Sequence, residues 1–226
     1  MKKKKSVILL SGGLDSSVVL SIAIKRGYEA HCISFNYGQR HKTEIKCAKK
    51  QVKLQKANSH KVFNIDFYGG SALTDNIMVP ENKNVDEIPN TIPLTYVPAR
   101  NTVFLAYALG YSEFLSCNNI FIGVNAIDYS GYPDCRPEFI RQFEKLSNIA
   151  TKKSIEGKKF KIHTPLINMT KKEIISTALK NKVDLKTTSS CYNPSKGVSC
   201  GKCHSCLLRK KGFDEAGQFD PIKYAN

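Results

Sequence analysis

The sequence predicts an α/β protein whose parallel sheet is flanked by helices on both faces. Two observations support this prediction. Short apolar runs alternate with longer segments in which apolar residues recur at helical spacing, and the first run leads through a Ser-Gly-Gly turn into a helical pattern. Such alternation is typical of β-α-β units, in which the helix returns the chain to the same end of the sheet and successive strands run parallel.

Three strands and two helices are expected in the N-terminal part of the chain. The strands are predicted at residues 7–10, 30–35 and 61–65, from short apolar or β-branched runs. The helices are predicted at residues 17–25, where a glycine follows closely, and at residues 43–55, from the spacing of their apolar residues.

The alternation continues in the C-terminal part. Helices are expected at residues 101–115, 137–151 and 170–181, and strands at residues 120–123 and 160–163. The intervening segment, residues 67–99, contains four prolines and has no sustained periodicity. Because a segment of that length is usually functional or disordered, we expect a lid or an interface there.

Length and composition are those of one globular domain with a small appendage. The 226 residues are 41% hydrophobic and 24% charged, and no apolar run approaches the roughly 18 residues that a membrane helix needs. Four lysines precede the first apolar run, as in a signal peptide, but the run ends after four residues. We therefore expect a cytoplasmic protein.

The chain is strongly basic, with a net charge of +16, of which residues 151–226 contribute +10. A basic excess favours nucleic-acid binding, because lysines near phosphates release counterions. A lysine-rich compositional bias accounts for it equally well. No arginine-rich run interleaved with aromatics is present, so charge alone does not establish RNA binding.

The loop between the first strand and the first helix, Ser11–Ser16 with the sequence SGGLDS, has the features of a phosphate site. A strand that enters a helix through two glycines presents free backbone N–H groups at the positive end of the helix dipole. Asp15 is suited to orient a metal ion that accompanies the phosphates. The loop is not a Walker A motif, since it lacks that motif's lysine. An ordinary strand-to-helix turn, with Asp15 and Ser16 as caps, is the alternative.

We expect ATP to contact the end of the strand and the first helical turns. The predicted nucleotide-binding residues are Leu10, Ser11, Gly12, Gly13, Leu14, Asp15, Ser16, Ser17, Val18, Val19 and Leu20. Of these, Ser11, Asp15 and Ser16 are the predicted catalytic residues.

Four of the eight cysteines lie within sixteen residues near the C-terminus, with the spacing C-x8-C-x2-C-x2-C. Two residues between thiols let a tight turn present both sulfurs to one ion, and a cytoplasmic chain is not expected to hold them as disulfides. We predict a structural zinc site, one per chain, with lysines and arginines at 202 and 209–211 near enough in sequence to offset the thiolate charge. The predicted ligands are Cys191, Cys200, Cys203 and Cys206.

Iron–sulfur ligation and free redox thiols are the alternatives for this cluster. His204 lies between two of the cysteines and is interpreted as a spectator. The remaining cysteines lie in or beside apolar segments and are expected to be small buried residues, although Cys135 lies among candidate substrate residues.

The SGGLDS loop resembles that of the ATP-pyrophosphatase, or PP-loop, superfamily, which has the adenine nucleotide alpha hydrolase-like fold. Further segments resemble the 7-cyano-7-deazaguanine synthase family of the queuosine pathway. They are YGQRH at 37–41, PLTYVPARN at 93–101, GVNAIDYSGYPDCRPEF at 123–139, and SCY at 190–192 with the cysteine cluster. The resemblance covers nearly the whole chain.

This resemblance implies an ATP-dependent, zinc-containing ligase. It implies conversion of 7-carboxy-7-deazaguanine and ammonia into the nitrile, by way of an adenylated acid and then an amide, with Mg²⁺ beside ATP. A homodimer that needs neither nucleic acid nor a membrane is also implied. We expect residues 1–186 to form the nucleotide-binding catalytic domain and residues 187–226 a zinc-binding region.

The purine-like substrate is expected between residues 125 and 136. A deazaguanine ring offers adjacent N–H donors to a carboxylate and a flat face to an aromatic ring, and a guanidinium matches a carboxylate or a phosphate. The candidate residues are Arg40, Arg100, Asp128, Tyr129, Asp134 and Arg136, with Tyr132 as a second candidate for stacking. Each has a structural alternative: Asp134 as a turn residue, for example, and Arg100 in a surface salt bridge. Lys171 and Lys172 are expected to face water, with contact to phosphate as the alternative.

Two further functions compete with the small-molecule ligase. One is a tRNA-modifying PP-loop enzyme that adenylates a base in the RNA. The other is a zinc-stabilised nucleic-acid-binding module without ATP turnover. The chain length of 226 residues leaves little room for the added RNA-binding domain that the first of these would be expected to carry.

Overall fold

The computed structural model describes residues 3–40, 43–66, 69–89, 91–125 and 131–225. The strands are β1 (Lys5–Leu9), β2 (Glu29–Asn36), β3 (Ser59–Asn64), β4 (Asn119–Phe121) and β5 (Lys161–His163). The helices are α1 (Leu14–Lys25), α2 (Thr43–Leu54), α3 (Arg100–Phe114), α4 (Pro137–Ala150), α5 (Lys152–Ile155), α6 (Lys171–Lys180) and α7 (His204–Glu215).

All five strands pair in parallel, in the order β3-β2-β1-β4-β5. In the central strand, Val7 is in register with His31 of β2 on one side and with Ile120 of β4 on the other. The chain winds outward from β1 in one direction and then, after β3, crosses to the other side to form β4. In such doubly wound sheets, ligands bind at the carboxyl ends of the two strands between which the order reverses, here β1 and β4.

Both faces of the sheet are buried, which is why the central strands read as continuous apolar runs. In β1, Ile8 packs in an apolar cluster with Val18 of α1 and Ile174 of α6. Its neighbours in β1 point the other way, where Leu105 of α3 and Phe143 of α4 form the second cluster. The predicted α/β fold, with helices on both faces of a parallel sheet, is confirmed.

The predicted elements are all present, with bounds that differ by a few residues. The largest difference is at α1, which begins at Leu14 and not at residue 17, so that half of the SGGLDS loop is already helical. Helix α6 begins with a capping box between Thr170 and Glu173. The prediction missed the short helix α5 and, more importantly, α7, which starts within the cysteine cluster.

The proline-rich segment packs against the cysteine region. Its residues Ala72 and Val79 belong to the same buried cluster as three of the cysteines, and the Asn82 N–H donates to the Lys202 carbonyl over 3.0 Å. The expected lid or interface remains a prediction.

The C-terminal region contributes to the main core, because Phe213 of α7 packs in the cluster that contains α1 and α6. The division of the chain at residue 187 remains a prediction. Within the described ranges, none of the helices combines the length and apolar character that crossing a membrane requires.

Candidate active site

A cavity of about 300 Å³ opens where β1 and β4 end. It is lined by Leu10 to Asp15, apart from Gly12, and by Gly123 to Asn125. The chain packs so tightly at this point that a Cβ atom on Gly123 would lie 3.2 Å from the Ser16 backbone nitrogen. The predicted phosphate loop therefore lies at the reversal of strand order, where this fold binds ligands.

Serine hydroxyls and backbone N–H groups converge in the loop. The Ser16 hydroxyl accepts from the Gly12 N–H over 3.2 Å and lies 3.0 Å from the Ser11 hydroxyl, which accepts from the Gly13 N–H. An anion bound at the start of α1 would replace these mutual hydrogen bonds, because the hydroxyls and N–H groups lie together at the positive end of the helix dipole.

Gly12 allows the loop to pass directly over the first turns of α2. It has a φ of +90°, and a Cβ atom there would lie 2.2 Å from the Glu44 carbonyl oxygen and 2.5 Å from the Ala48 nitrogen. Both neighbours are backbone atoms in a helix, so they cannot move aside independently. No residue other than glycine fits this position.

Replacing Gly12 by alanine is therefore expected to lower the free energy of unfolding by about 3 kcal/mol or more, from strain and overpacking together. Gly27 is a matched control, because it has a φ of +82° with no atom near its Cβ position. Gly27→Ala should cost only about 1 kcal/mol, the effect of the left-handed backbone alone. Urea unfolding of both variants measures the difference, and equal costs would contradict the steric role of Gly12.

The four residues after the loop are placed differently from the prediction that they contact ATP. The Ser17 hydroxyl donates to the Gly13 carbonyl over 2.8 Å, and the side chains of Val18, Val19 and Leu20 are fully buried in the core. None of the four lines the cavity. Their observed role is to fix α1 beneath the loop.

Asp15 forms an ion pair that the sequence did not indicate. The Lys171 ammonium, at the start of α6, lies 2.9 Å from each carboxylate oxygen of Asp15. The Lys171 side chain is only 15% exposed, and both residues line the cavity. The expectation that Lys171 faces water is therefore wrong. The loop has a lysine after all, supplied from 156 positions further along the chain.

Arg100, at the first position of α3, lines the same cavity as the loop. It is half-buried, and the Tyr37 hydroxyl, Tyr132 and Tyr192 surround it. Among the described residues it forms no ion pair with a carboxylate. The surface salt bridge considered above is absent from this set, and the Arg100 charge is directed toward the cavity and its polar hydroxyls.

Of the other predicted substrate residues, only Arg40 shares a cavity with Arg100 among the described residues, and that is the smaller one. The buried Asp134 carboxylate accepts from the Asn101 N–H over 2.9 Å and holds the start of α3. The Arg40 guanidinium donates to the Ile77 carbonyl over 2.9 Å beside a smaller cavity, and Arg136 is exposed. None of these three lines the main cavity. Asp128 and Tyr129 lie outside the described residues.

Glu44 also lines the cavity, and sequence analysis missed it. It lies in the first turn of α2, directly beneath Gly12, and it is half-buried. Burial raises the pKa of its carboxyl to about 7, and the Arg100 charge partly offsets this effect. A carboxyl with such a pKa exchanges protons readily at neutral pH.

The predicted cysteine ligands converge at one point. The sulfur atoms of Cys191, Cys200, Cys203 and Cys206 all lie within 4.8 Å of one another. Tetrahedral zinc with bonds of about 2.3 Å requires sulfur atoms about 3.8 Å apart, and the Cys200 and Cys206 sulfurs are separated by 4.0 Å. The four thiols are thus placed to hold one metal ion.

The surroundings of the cluster suit thiolates. Backbone N–H groups of Asn193 and Cys200 donate to the Cys191 sulfur over 3.4 and 3.2 Å. Such hydrogen bonds orient metal ligands and stabilise their charge. The His204 ring instead lies 2.9 Å from the Asn82 side-chain oxygen, in agreement with a spectator role. Arg209 does not offset the thiolates as expected, because it forms a buried ion pair with Asp220 at 2.7 Å.

The cysteine cluster and the phosphate loop are directly connected. The Ser189 N–H donates to the Gly12 carbonyl over 3.0 Å, and the Ser190 hydroxyl accepts from the Leu14 N–H over 3.5 Å. Cys191 belongs to the cluster, and Tyr192 lines the cavity. The position of the cavity wall therefore depends on the cluster.

Cys135 lines the cavity but is not arranged as a nucleophile. The Asn101 side-chain amide donates to its sulfur over 3.2 Å, and burial raises the pKa of the thiol to about 12. The thiol therefore stays protonated at neutral pH.

Comparison with known proteins identifies the family of the chain. The family model of the queuosine biosynthesis protein QueC matches residues 5–217. A 7-cyano-7-deazaguanine synthase of Desulfatibacillum aliphaticivorans is 53% identical over 99% of this chain and 98% of its own length. One of Cellvibrio japonicus is 54% identical over the full length of both chains.

Among solved structures, an NMN synthetase from Francisella tularensis aligns with 96% of this chain and 78% of its own, with a TM-score of 0.52 and 16% identity. That likeness concerns the fold alone. The family match and the full-length relatives confirm the family indicated by the sequence segments, and the chain belongs to the QueC family of queuosine biosynthesis proteins.

Proposed function

We propose that the chain is an ATP-dependent ligase that converts 7-carboxy-7-deazaguanine and ammonia into 7-cyano-7-deazaguanine. One observation carries the proposal: a single cavity combines an anion-binding loop, the Asp15–Lys171 pair and an arginine without a carboxylate partner among the described residues. The relatives named above support the choice of substrate. The proposal includes a cytoplasmic homodimer that needs no nucleic acid.

The loop activates the acid. Ammonia does not attack a carboxylate, because attack would place a second negative charge on it, so the carboxylate is first joined to the α-phosphorus of ATP and pyrophosphate leaves. Ser11, Ser16 and the loop N–H groups bind the departing pyrophosphate, and Asp15 holds Lys171 toward it. The Asp15 carboxylate would also bind the Mg²⁺ that accompanies the nucleotide. Fixed donors of this kind stabilise charge as it develops in the transition state.

Arg100 holds the carboxylate of the acid. A guanidinium forms two parallel hydrogen bonds to a carboxylate, and the partly dehydrated setting strengthens them. Tyr132 and Tyr192, whose hydroxyls lie 3.4 Å apart beside the arginine, offer ring faces to the planar deazapurine. We retain Arg100 from the predicted substrate residues and add these two tyrosines.

Both nitrogen steps release protons. Ammonia loses a proton after it displaces AMP to form the amide, and the amide nitrogen loses two when its oxygen has been adenylated and AMP leaves to give the nitrile. Glu44 accepts these protons one at a time and returns them to water. It is the cavity-lining carboxylate, among the described residues, that is not engaged in an ion pair.

Glu44→Gln is expected to lower the rate of nitrile formation from the amide by about 10²-fold, the usual contribution of a general base. The unprotonated carboxylate is the active form, so wild-type kcat/KM should rise with pH up to about 7 and then level off. The variant should lack this rise. The assay starts from the amide, so that the titration of free ammonium does not affect the pH profile of kcat/KM. The control is Glu215→Gln, at an exposed position. A variant with the wild-type profile would exclude Glu44 as the base.

The cysteine cluster is proposed to hold one structural Zn²⁺. The fit rests on the four thiols, which surround one point. Four thiolates complete the tetrahedral coordination of zinc and leave no position open for water or substrate, as in structural zinc sites. Bound zinc would supply folding energy and fix residues 189–192 against the loop, while all chemical steps take place in the cavity.

The function is tested by incubating the protein with MgATP, ammonia and 7-carboxy-7-deazaguanine, and following the nitrile, AMP and pyrophosphate. We expect all three products, with the amide as a transient species and two ATP consumed per nitrile. Absence of the nitrile, together with AMP formation on tRNA, would replace this proposal by a tRNA-modifying enzyme. Absence of any ATP turnover would favour a nucleic-acid-binding module.

A further inference from the structure

Gly212 lies in the interior of α7 and directly over the Lys171 side chain. A Cβ atom at Gly212 would lie 2.3 Å from Lys171 Cγ and 2.7 Å from Lys171 Cβ, and 3.0 Å from Ile175 Cδ1. The first two atoms are at the base of the lysine side chain, where rotation about distal bonds gives no relief. The end of Ile175 can adjust, so Lys171 is the residue that requires glycine.

The backbone conformation at position 212 does not require glycine. The residue is helical, with a conformation that any residue adopts, and glycine in a helix interior costs about 1 kcal/mol relative to alanine. Gly110 in α3 shows the contrast, because no atom lies within 4 Å of its Cβ position. The cost at Gly212 is therefore offset by close packing between α7 and the start of α6.

That packing determines the position of the Lys171 ammonium group. From its position under Gly212 the side chain extends to Asp15, with both oxygens at 2.9 Å. A shift of the lysine base by even a fraction of an ångström would break the symmetric contact, because hydrogen bonds weaken steeply with distance and angle.

We propose that Gly212 is a positioning residue, which holds Lys171 on Asp15 and thereby sets the charge that faces the pyrophosphate of ATP. The inference rests on the proposed function, in which Lys171 contacts the leaving group. It also links the two ends of α7: the N-terminal turn carries Cys206 of the metal cluster, and the C-terminal half sets the phosphate site.

The test compares Gly212→Ala with Gly110→Ala, which adds the same methyl group to a helix in open space. We expect Gly212→Ala to lower kcat for pyrophosphate release by about 10²-fold, the effect of a misplacement near 1 Å. Its circular dichroism spectrum and bound zinc should match the wild type. Gly110→Ala should stay within about twofold of the wild-type kcat.

A double-variant cycle separates positioning from general damage. Lys171→Gly removes both side-chain atoms that the new methyl group would meet, so adding Gly212→Ala to it should change kcat by less than about twofold. If the losses multiply in the double variant, or if Gly212→Ala alone has wild-type kcat, the proposal is wrong. If Gly212→Ala does not fold, Lys171→Gly should restore folding, and a double variant that stays unfolded also overturns it.

Failure of the proposed function would be visible separately, as absence of turnover by the wild-type protein. The two glycine variants are then compared by their Kd for MgATP. Gly212→Ala should bind more weakly than Gly110→Ala, and equal affinities would overturn the positioning role.

Discussion

Asp15→Ala is expected to abolish measurable pyrophosphate release while the protein stays folded. The change removes the carboxylate that directs Mg²⁺ and leaves the Lys171 ammonium, now without its 2.9 Å partner, free to turn away from the phosphates. Removing one preorganised electrostatic group costs about 10²–10³-fold in kcat, and here two groups are affected together. We therefore expect a loss of at least about 10³-fold.

The exposed Asp214 of α7 provides the control, because Asp214→Ala changes the net charge equally and lies outside the cavity. Steady-state release of pyrophosphate and the melting temperature are measured for both variants. Turnover of Asp15→Ala at the wild-type rate would show that the loop carboxylate has no role in the mechanism, whatever the effect of substituting Lys171.

Cys203→Ser is expected to lower the free energy of unfolding by about 4 kcal/mol or more, with loss of the bound metal. Cys203 is fully buried, and a closed four-cysteine site contributes its binding energy to folding. Cys117→Ser is the matched control, because Cys117 is also a buried thiol but lies outside the cluster. Its cost should be limited to burial of a hydroxyl, about 1–3 kcal/mol.

Urea unfolding and the zinc content per chain are measured together for the two cysteine variants. A Cys203→Ser protein that is as stable as the wild type but inactive would mean that the site is catalytic and not structural. A brown wild-type protein, with iron–sulfur charge-transfer absorbance, would show that the four cysteines bind an iron–sulfur cluster and not zinc.

The secondary structure of the sheet and its helices was predictable because local signals agree with the fold. Val7 to Leu10 and Ala30 to Phe35 read as strands since both sides of the sheet are covered, and the stop at Ser11 marks the loop. The convergence of the four cysteines was predictable for a similar reason, because three of them are close neighbours in sequence.

The remaining features depend on contacts between distant residues. Helix α7 was missed because its sequence is basic and it buries Arg209 in an ion pair, whereas a typical helix of this length buries an apolar stripe. Lys171 reaches Asp15 only because α6 packs beside α1, and nothing near Glu44 in the sequence indicates that α2 begins beneath Gly12. The close approach of Gly212 to Lys171, which is 41 positions away in the sequence, is likewise visible only in three dimensions.

The irregular stretch Ser189–Tyr192 cannot change its length without losing contacts on both sides. Loops usually tolerate insertions, but each residue here has a separate attachment: Ser189 and Ser190 to the phosphate loop, Cys191 to the cysteine cluster, Tyr192 to the cavity. One inserted residue would move every later side chain to its neighbour's place and disconnect all of these attachments at once. We therefore expect insertions in this part of the chain to be tolerated only in the turn between Tyr192 and Cys200, where Gly197 has open space around it.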